Sequence, residues 1–309
     1  MSIAIVFPGQ GTQSPGMGAA WRDHPAWHVV TDAEAATGEP LAELIVDAPA
    51  EQLARTRDAQ LAVLLTSLVA WTAIGDRLPA PVAFAGHSLG QVTALVAAGA
   101  LEPAAGVRFA ARRATLTQAA ADAHPGGMAA LLGATIEQAE RACDAADNRC
   151  WIANDNAPGQ VVIAGTPEGL QAATAVAKDL GVRRATPLEV GGAFHTPLMH
   201  DAATALTAEL GDLAIADTTV PVVSNADARA YTDGDGWRTR LADHVEVPVR
   251  WREVQTTLTG LGATHFVEVG HGSMLAALAK RTVADVIVHH VATPDDLETM
   301  VDALQEVPS

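Results

Sequence analysis

The chain has 309 residues, 49% of them hydrophobic, and a formal net charge of −17 from 36 acidic against 19 basic side chains. So acidic a balance lacks the basic footprint that phosphate-rich surfaces require, which excludes nucleic acid and anionic membranes as partners. The length suffices for a sizeable core and for one large domain with a small insertion.

Two cysteines, Cys143 and Cys150, fall short of the four ligands of a structural zinc site and in a chain this size point to a reducing cytoplasm. No apolar run is expected to be long enough to cross a bilayer, so the protein reads as soluble. MSIAIVFPGQG carries no basic region ahead of its short apolar run, which makes it a first strand and not a signal peptide.

That strand, Ile3-Ala4-Ile5-Val6-Phe7, delivers the glycine-rich loop Pro8-Gly9-Gln10-Gly11-Thr12-Gln13, which in a sheet enzyme lies where ligands bind. A nucleotide loop is disfavoured because the lysine of a phosphate loop is missing. Residues 18–78 read as helices that pack through stripes such as Leu61, Leu64, Leu65, Leu68 and Val69. PVAFAGHSLGQVTALVAAGAL, from residue 81, then reads as strand, sharp turn and small-residue helix, with Ser88 at the apex of G-x-S-x-G. The flanking glycines let strand and helix approach closely, and the helix N-terminus aims free N–H groups and a positive dipole end at the hydroxyl. The plainer alternative is a tight turn with a capping serine.

A helix follows from Pro103 to about Ala123. Phe109, Arg113, Leu116 and Ala120 lie at spacings of four, three and four, which puts Arg113 on an apolar stripe while Arg108, Arg112 and Thr115 occupy another face. Such an arginine either snorkels to solvent, the commoner outcome, or is buried against an anion. From Gly126 the order becomes β-α-β-β-α-β, a split βαβ unit of about 70 residues. It closes at Gly191-Gly192-Ala193-Phe194-His195-Thr196-Pro197, so His195 lies where the insertion rejoins the main fold. The fold class is therefore α/β, with a mostly parallel sheet in residues 1–125 and 198–309 and a ferredoxin-like small domain over 126–197. Strands near 220–225, 265–270 and 286–290 alternate with helices to complete the large domain.

A serine nucleophile needs a base, usually histidine, and eleven histidines compete. His87 is adjacent to Ser88 in an elbow and points elsewhere. His195 stands out for its junction position, with His265 and His271 as weaker candidates. No Asp or Glu announces itself as the group that orients the imidazole.

FPGQGTQSPGMG at 7–18, GHSLGQ at 86–91, RRATLTQ at 112–118, IANDNAPGQVVIAG at 152–165, GAFHTPLM at 192–199, SNADA at 224–228 and EVGHGSMLAAL at 268–278 occur in order across essentially the whole chain. Together they resemble the malonyl-CoA:acyl-carrier-protein transacylases of fatty-acid and polyketide synthesis. The resemblance implies an α/β-hydrolase-like large domain with a ferredoxin-like insertion, Ser88 as nucleophile, His195 as base, and the backbone N–H groups of Gln10 and Leu89 as oxyanion donors. It implies Arg113 as the clamp on the malonyl carboxylate, which overturns the snorkelling preference, and Phe194 as a ring that crowds an α-methyl branch.

Two positions depart from the pattern. Gln91 stands where Glu is usual, and His244 stands where many members have a Gln whose backbone carbonyl orients the imidazole. Malonyl-CoA and an acyl carrier protein are the implied partners, with no metal or bound cofactor. Because carriers are typically acidic, Arg112, Arg183 and Arg184 are expected to receive them near the cleft mouth. The rival readings are the malonyltransferase subunit of a malonate decarboxylase, a discrete polyketide acyltransferase using another dicarboxylic acyl-CoA, an esterase or thioesterase, and a non-catalytic docking subunit.

Overall fold

The computed structural model describes residues 1–305. Strand β1 (Ile3–Phe7) is buried along its whole length, as a continuous apolar run must be when both faces of a parallel sheet are covered. It sits centrally in a six-stranded sheet of order β10-β9-β1-β2-β7-β8. Here β2 is Ala83–Gly86, β7 Val222–Val223, β8 Ala230–Tyr231, β9 His265–Val269 and β10 Ile287–Val291. All neighbours are parallel except β7 and β8, which pair antiparallel, so the sheet is mixed. Because β1, β2, β7 and β9 share one direction, the loops leaving their carboxyl ends gather on one edge, where α/β sheets bind ligands.

Helices cover the sheet. The first four are α1 (His28–Thr37), α2 (Leu41–Val46), α3 (Ala50–Leu53) and α4 (Thr56–Ile74). The expectation that no apolar run reaches bilayer length needs correction. The helical stretch Thr56–Arg77 is long and apolar enough, but 72% of its most apolar window is buried inside the protein. It is a core helix: Leu61, Leu64, Leu65 and Val69 are fully buried and Leu68 nearly so, each contributing roughly 1.5–3 kcal/mol of burial. It packs against α6 (Pro103–Ala123), whose boundaries are those the sequence suggested. Between them α5 (Gly90–Ala97) follows β2, while α9 (His200–Leu210), α10 (Trp237–Asp243), α11 (Trp251–Gly260) and α12 (Met274–Thr282) lie later in the chain. The antiparallel edge strand β8 and a C-terminal helix α13 (Pro294–Gln305) are additions to the sequence-based reading.

A second, wholly antiparallel sheet has the order β4-β5-β3-β6, with β3 Gly127–Leu132, β4 Cys150–Ala157, β5 Gln160–Gly165 and β6 Arg184–Pro187. Helices α7 (Ile136–Asp144) and α8 (Pro167–Asp179) complete it. A capping box at Thr135 and Gln138 starts α7, and Thr166 with Pro167 starts α8. The backbone of β4 is stitched to the chain before α11: Val249 N–H donates to Ala153 O at 2.8 Å and Asp155 N–H to Val249 O at 2.9 Å. These bonds fix the second sheet over the loop edge of the first.

The loop after β9 is held from inside. Glu268 is fully buried, and its carboxylate accepts the N–H groups of Leu275 at 3.1 Å and Ala276 at 2.8 Å at the start of α12. Two residues past the strand, His271 Nε2 meets Ser14 Oγ at 2.8 Å and so supports the loop that carries Gln10. Burial pushes the Glu268 carboxyl up from 4.5 to about 7, against the two N–H bonds that pull it down. The folded protein thus keeps a proton that the unfolded chain releases, and this group's contribution to stability falls as pH rises from about 4.5 to about 7, at up to about 1.4 kcal/mol per pH unit. Glu268→Gln is expected to flatten that slope when urea unfolding is compared at about pH 5 and about pH 7. A slope that survives the substitution contradicts the assignment.

Candidate active site

Ser88 occupies a left-handed backbone conformation, φ 51°, between β2 and α5. A β-carbon on Gly86 would strike the Gly90 carbonyl, and one on Gly90 would strike the Phe7 carbonyl, which is why this turn needs glycine at both positions. Asn225, at the end of β7, braces the elbow from both sides: its Oδ1 accepts Ser88 N–H at 2.8 Å and its Nδ2 donates to Gly86 O at 2.8 Å.

His195 comes to the same point from the chain that leaves the second sheet. Its Nε2 lies 2.8 Å from Ser88 Oγ. It too is left-handed, φ 61°. Its backbone N–H donates to Val245 O at 3.0 Å, and its Nδ1 lies 2.8 Å from His244 O and 3.2 Å from Val247 O. Carbonyls only accept, so Nδ1 carries the proton and Nε2 presents a lone pair to the serine hydroxyl. Among the described residues no carboxylate takes part. Burial, and secondarily the Arg113 charge, push this imidazole down to about 3, so it is neutral and ready to accept a proton.

Arg113 is buried, as an arginine on an apolar stripe is only when something holds it. Its Nη1 donates to Gln60 Oε1, and its Nη2 lies 3.3 Å from Ser88 Oγ. Gln60 in turn donates to Thr117 Oγ1 at 3.1 Å, one helical turn beyond Arg113 on α6. No carboxylate pairs with the guanidinium among the described residues, and burial lowers its pKa to about 10. Phe194, Met128, Leu188 and Val190 line the rest of the cavity.

The remaining predicted residues divide. The backbone N–H groups of Gln10, after β1, and Leu89, at the start of α5, have no acceptor among the described residues, and both residues line the cavity beside Ser88. Gln91 and His244, the two departures, meet each other: Gln91 Nε2 lies 3.3 Å from His244 Nδ1. The three arginines expected to receive a carrier are not brought together. Arg112 Nε donates to Glu209 on α9 at 2.7 Å, whereas Arg183 and Arg184 are exposed at the start of β6 without an ion-pair partner among the described residues. Of the competing histidines, His87 bonds to Asn156 Oδ1 at 2.9 Å, His271 to Ser14, and His265 stacks on His289. Among the described residues no group of three His, Cys, Asp or Glu could hold a metal ion.

Sequence reasoning missed Gln60 and the Val247 carbonyl. A carbonyl leaves no trace in a residue's identity, but Gln60 interrupts an apolar helical run, and a polar side chain there is a legible signal.

The acyl transferase domain family matches residues 4–304. The malonyl CoA-acyl carrier protein transacylase of Bacillus subtilis (strain 168) is 37% identical over 309 residues, spanning 98% of each chain. Among solved structures, the acyl-carrier-protein S-malonyltransferase of Burkholderia pseudomallei 1710b superposes with a TM-score of 0.93 at 35% identity, over 98% of this chain and 100% of its own. A malonyl-transacylase in complex with its holo type II PKS acyl-carrier protein superposes with a TM-score of 0.93 at 33% identity, over 98% and 100%. This chain therefore belongs to the acyl transferase family, among the malonyl-CoA:acyl-carrier-protein transacylases.

Proposed function

We propose that the chain transfers a malonyl group from malonyl-CoA to the phosphopantetheine thiol of an acyl carrier protein, through a malonyl ester on Ser88. The observation that carries this reading is the buried Arg113 guanidinium, with no carboxylate partner among the described residues and its Nη2 3.3 Å from Ser88 Oγ. A buried charge costs several kcal/mol unless it is compensated, and here the missing partner is the free carboxylate of the acyl group.

His195 Nε2 takes the Ser88 hydroxyl proton as Oγ attacks the thioester carbon. The oxyanion that forms is held by the N–H groups of Gln10 and Leu89. Collapse expels the CoA thiolate, which regains the proton from the imidazolium. The carrier thiol then repeats the sequence in reverse, with His195 taking the thiol proton and returning it to Ser88 Oγ. A malonyl carboxylate on Arg113 also offsets the charge that depresses His195, so the correct substrate strengthens its own base. Phe194 beside the acyl pocket crowds an α-methyl branch.

On the same reading, residues 1–125 and 198–309 form an α/β-hydrolase-like large domain and residues 126–197 a ferredoxin-like small domain. The antiparallel order β4-β5-β3-β6 and the β-α-β-β-α-β sequence support the latter. The two free cysteines suit a cytoplasmic setting.

Four outcomes are expected. Intact-mass analysis after mixing with malonyl-CoA should show a malonyl adduct that Ser88→Ala abolishes. Arg113→Ala should lower kcat/KM for malonyl-CoA about hundredfold while sparing acetyl-CoA, as loss of charged hydrogen bonds predicts; an adduct that survives Ser88→Ala removes the central claim. The acid limb of kcat/KM should lie well below the ordinary histidine value of 6.5 and move up in Arg113→Met, because the cation that lowers His195 is gone. A limb unmoved by the substitution argues against the coupling. Finally, Arg183→Glu with Arg184→Glu should slow malonyl transfer to the carrier about tenfold without slowing acylation by malonyl-CoA, and equal slowing of both steps would sink the docking role.

A further inference from the structure

One buried circuit of hydrogen bonds joins the nucleophile to the group that orients the base, and main-chain donors and acceptors within it orient both of its amides. Ser88 N–H and Gly86 O are a pure donor and a pure acceptor, so they fix the Asn225 amide, with Oδ1 toward Ser88 and Nδ2 toward Gly86. The Asn225 backbone N–H, again only a donor, lies 2.8 Å from Gln91 Oε1 and fixes that amide as well. Gln91 Nε2 therefore donates to His244 Nδ1 at 3.3 Å, which leaves the His244 proton on Nε2, a buried nitrogen with no acceptor among the described residues. The carbonyl of the same His244 accepts Nδ1–H of His195 at 2.8 Å, and His195 Nε2 faces Ser88 Oγ at 2.8 Å. Gln91 and Asn225 are fully buried, His244 is 1% exposed and His195 4%, so water does not compete for these bonds.

We infer that Gln91 and His244 are a matched pair of positioning residues, in which the Gln91 amide holds the neutral His244 ring and thereby sets the carbonyl that aims His195 at Ser88. The inference rests on the reading of Ser88 as nucleophile and His195 as base. Neither Gln91 nor His244 lines the cavity beside Ser88, and the pair acts through geometry. Each half of the pair makes sense only with the other. An amide donor at 91 needs an acceptor at 244, supplied by a histidine with a free Nδ1 or by the carbonyl oxygen of a glutamine. An apolar side chain at either position leaves a buried polar group of its partner unsatisfied.

The test is single-turnover malonylation of Ser88 by malonyl-CoA, read by rapid quench and intact mass, for wild type, Gln91→Met, His244→Leu, His244→Gln and the double variant Gln91→Met/His244→Leu. Each apolar single variant should lower the acylation rate constant about tenfold, with the half-saturating malonyl-CoA concentration changed less than about twofold. The double variant should be no slower than the slower single one, and His244→Gln should stay within about threefold of wild type. Losses that multiply, or a His244→Gln variant as slow as His244→Leu, overturn the pairing. Absence of any adduct in wild type would instead remove the underlying reading of Ser88. Where a variant does not fold, nitrogen-15 NMR of the histidines in the wild-type protein decides independently: His244 protonated on Nε2 supports the circuit, and His244 protonated on Nδ1 overturns it.

Discussion

Everything in the site answers to one uncompensated charge. A guanidinium at the level of burial of Arg113 ordinarily has a carboxylate beside it, because desolvation without pairing costs several kcal/mol. Among the described residues the fold offers only the neutral amide of Gln60 and the hydroxyl of Ser88. Folding therefore leaves a local debt that an anionic ligand can settle, and the same unpaired cation helps keep His195 neutral. On the proposed reading, two functions that look separate, choice of acyl group and readiness of the base, both draw on this single side chain. The length and stiffness of α6 matter for this reason: 21 helical residues anchored against α4 hold the guanidinium where a flexible loop would let it swing out to water.

The second constraint is backbone strain. Ser88 and His195 both sit at positive φ, a conformation that costs of order 1 kcal/mol or more for a residue with a side chain. The strain persists because each residue is gripped from several directions. Ser88 is braced by Asn225 and by the close approach of strand to helix at Gly86 and Gly90. His195 is held through its backbone N–H and its ring by carbonyls within residues 244–247. That segment, unlike an aspartate, cannot lose its orienting power by protonation. A carbonyl-oriented histidine thus trades the electrostatic support of a carboxylate for a geometry insensitive to pH, in a site where burial and, secondarily, the Arg113 cation already keep the imidazole neutral.

Most of the fold was legible in the sequence because it follows from periodicity. The buried run of β1 and the Pro-initiated α6 lie at the boundaries the pattern suggests, and the apolar stripe of α4 falls inside the residues read as helical. The two-residue strand β8 carries no such pattern, since two residues contain no period. Within the site, legibility tracked chemistry: Ser88 announced itself through its glycines, and His195 through its junction. Arg113 was visible but ambiguous, because its stripe says which face it occupies and not whether an anion waits there. The Val247 carbonyl was beyond reach, being a main-chain atom that any residue would supply. Gln91 and His244 were legible one at a time as departures, but only the fold, which brings positions 153 residues apart into contact, shows that they answer each other.

The charge of −17 remains to be reconciled with an acidic carrier, and the arginines show how. Seven of the sixteen arginines outside the catalytic cavity are tied to this chain's own carboxylates: Arg57 to Glu39, Arg77 to Glu298, Arg112 to Glu209, Arg238 to Asp235, Arg240 to Asp233, Arg250 to Glu253 and Arg252 to Asp155. A guanidinium so paired presents a dipole and not a net charge, and at physiological salt its field fades within about 8 Å. Net charge is therefore a poor guide to steering here. What a partner meets at close range is set by the cations without ion-pair partners among the described residues, and Arg183 and Arg184 are the two of these on the strand-and-loop segment that continues to Leu188 and Val190 at the cavity wall. A carrier drawn to that edge would be placed along the chain that leads to His195, whereas one drawn to Arg112 would first have to displace Glu209.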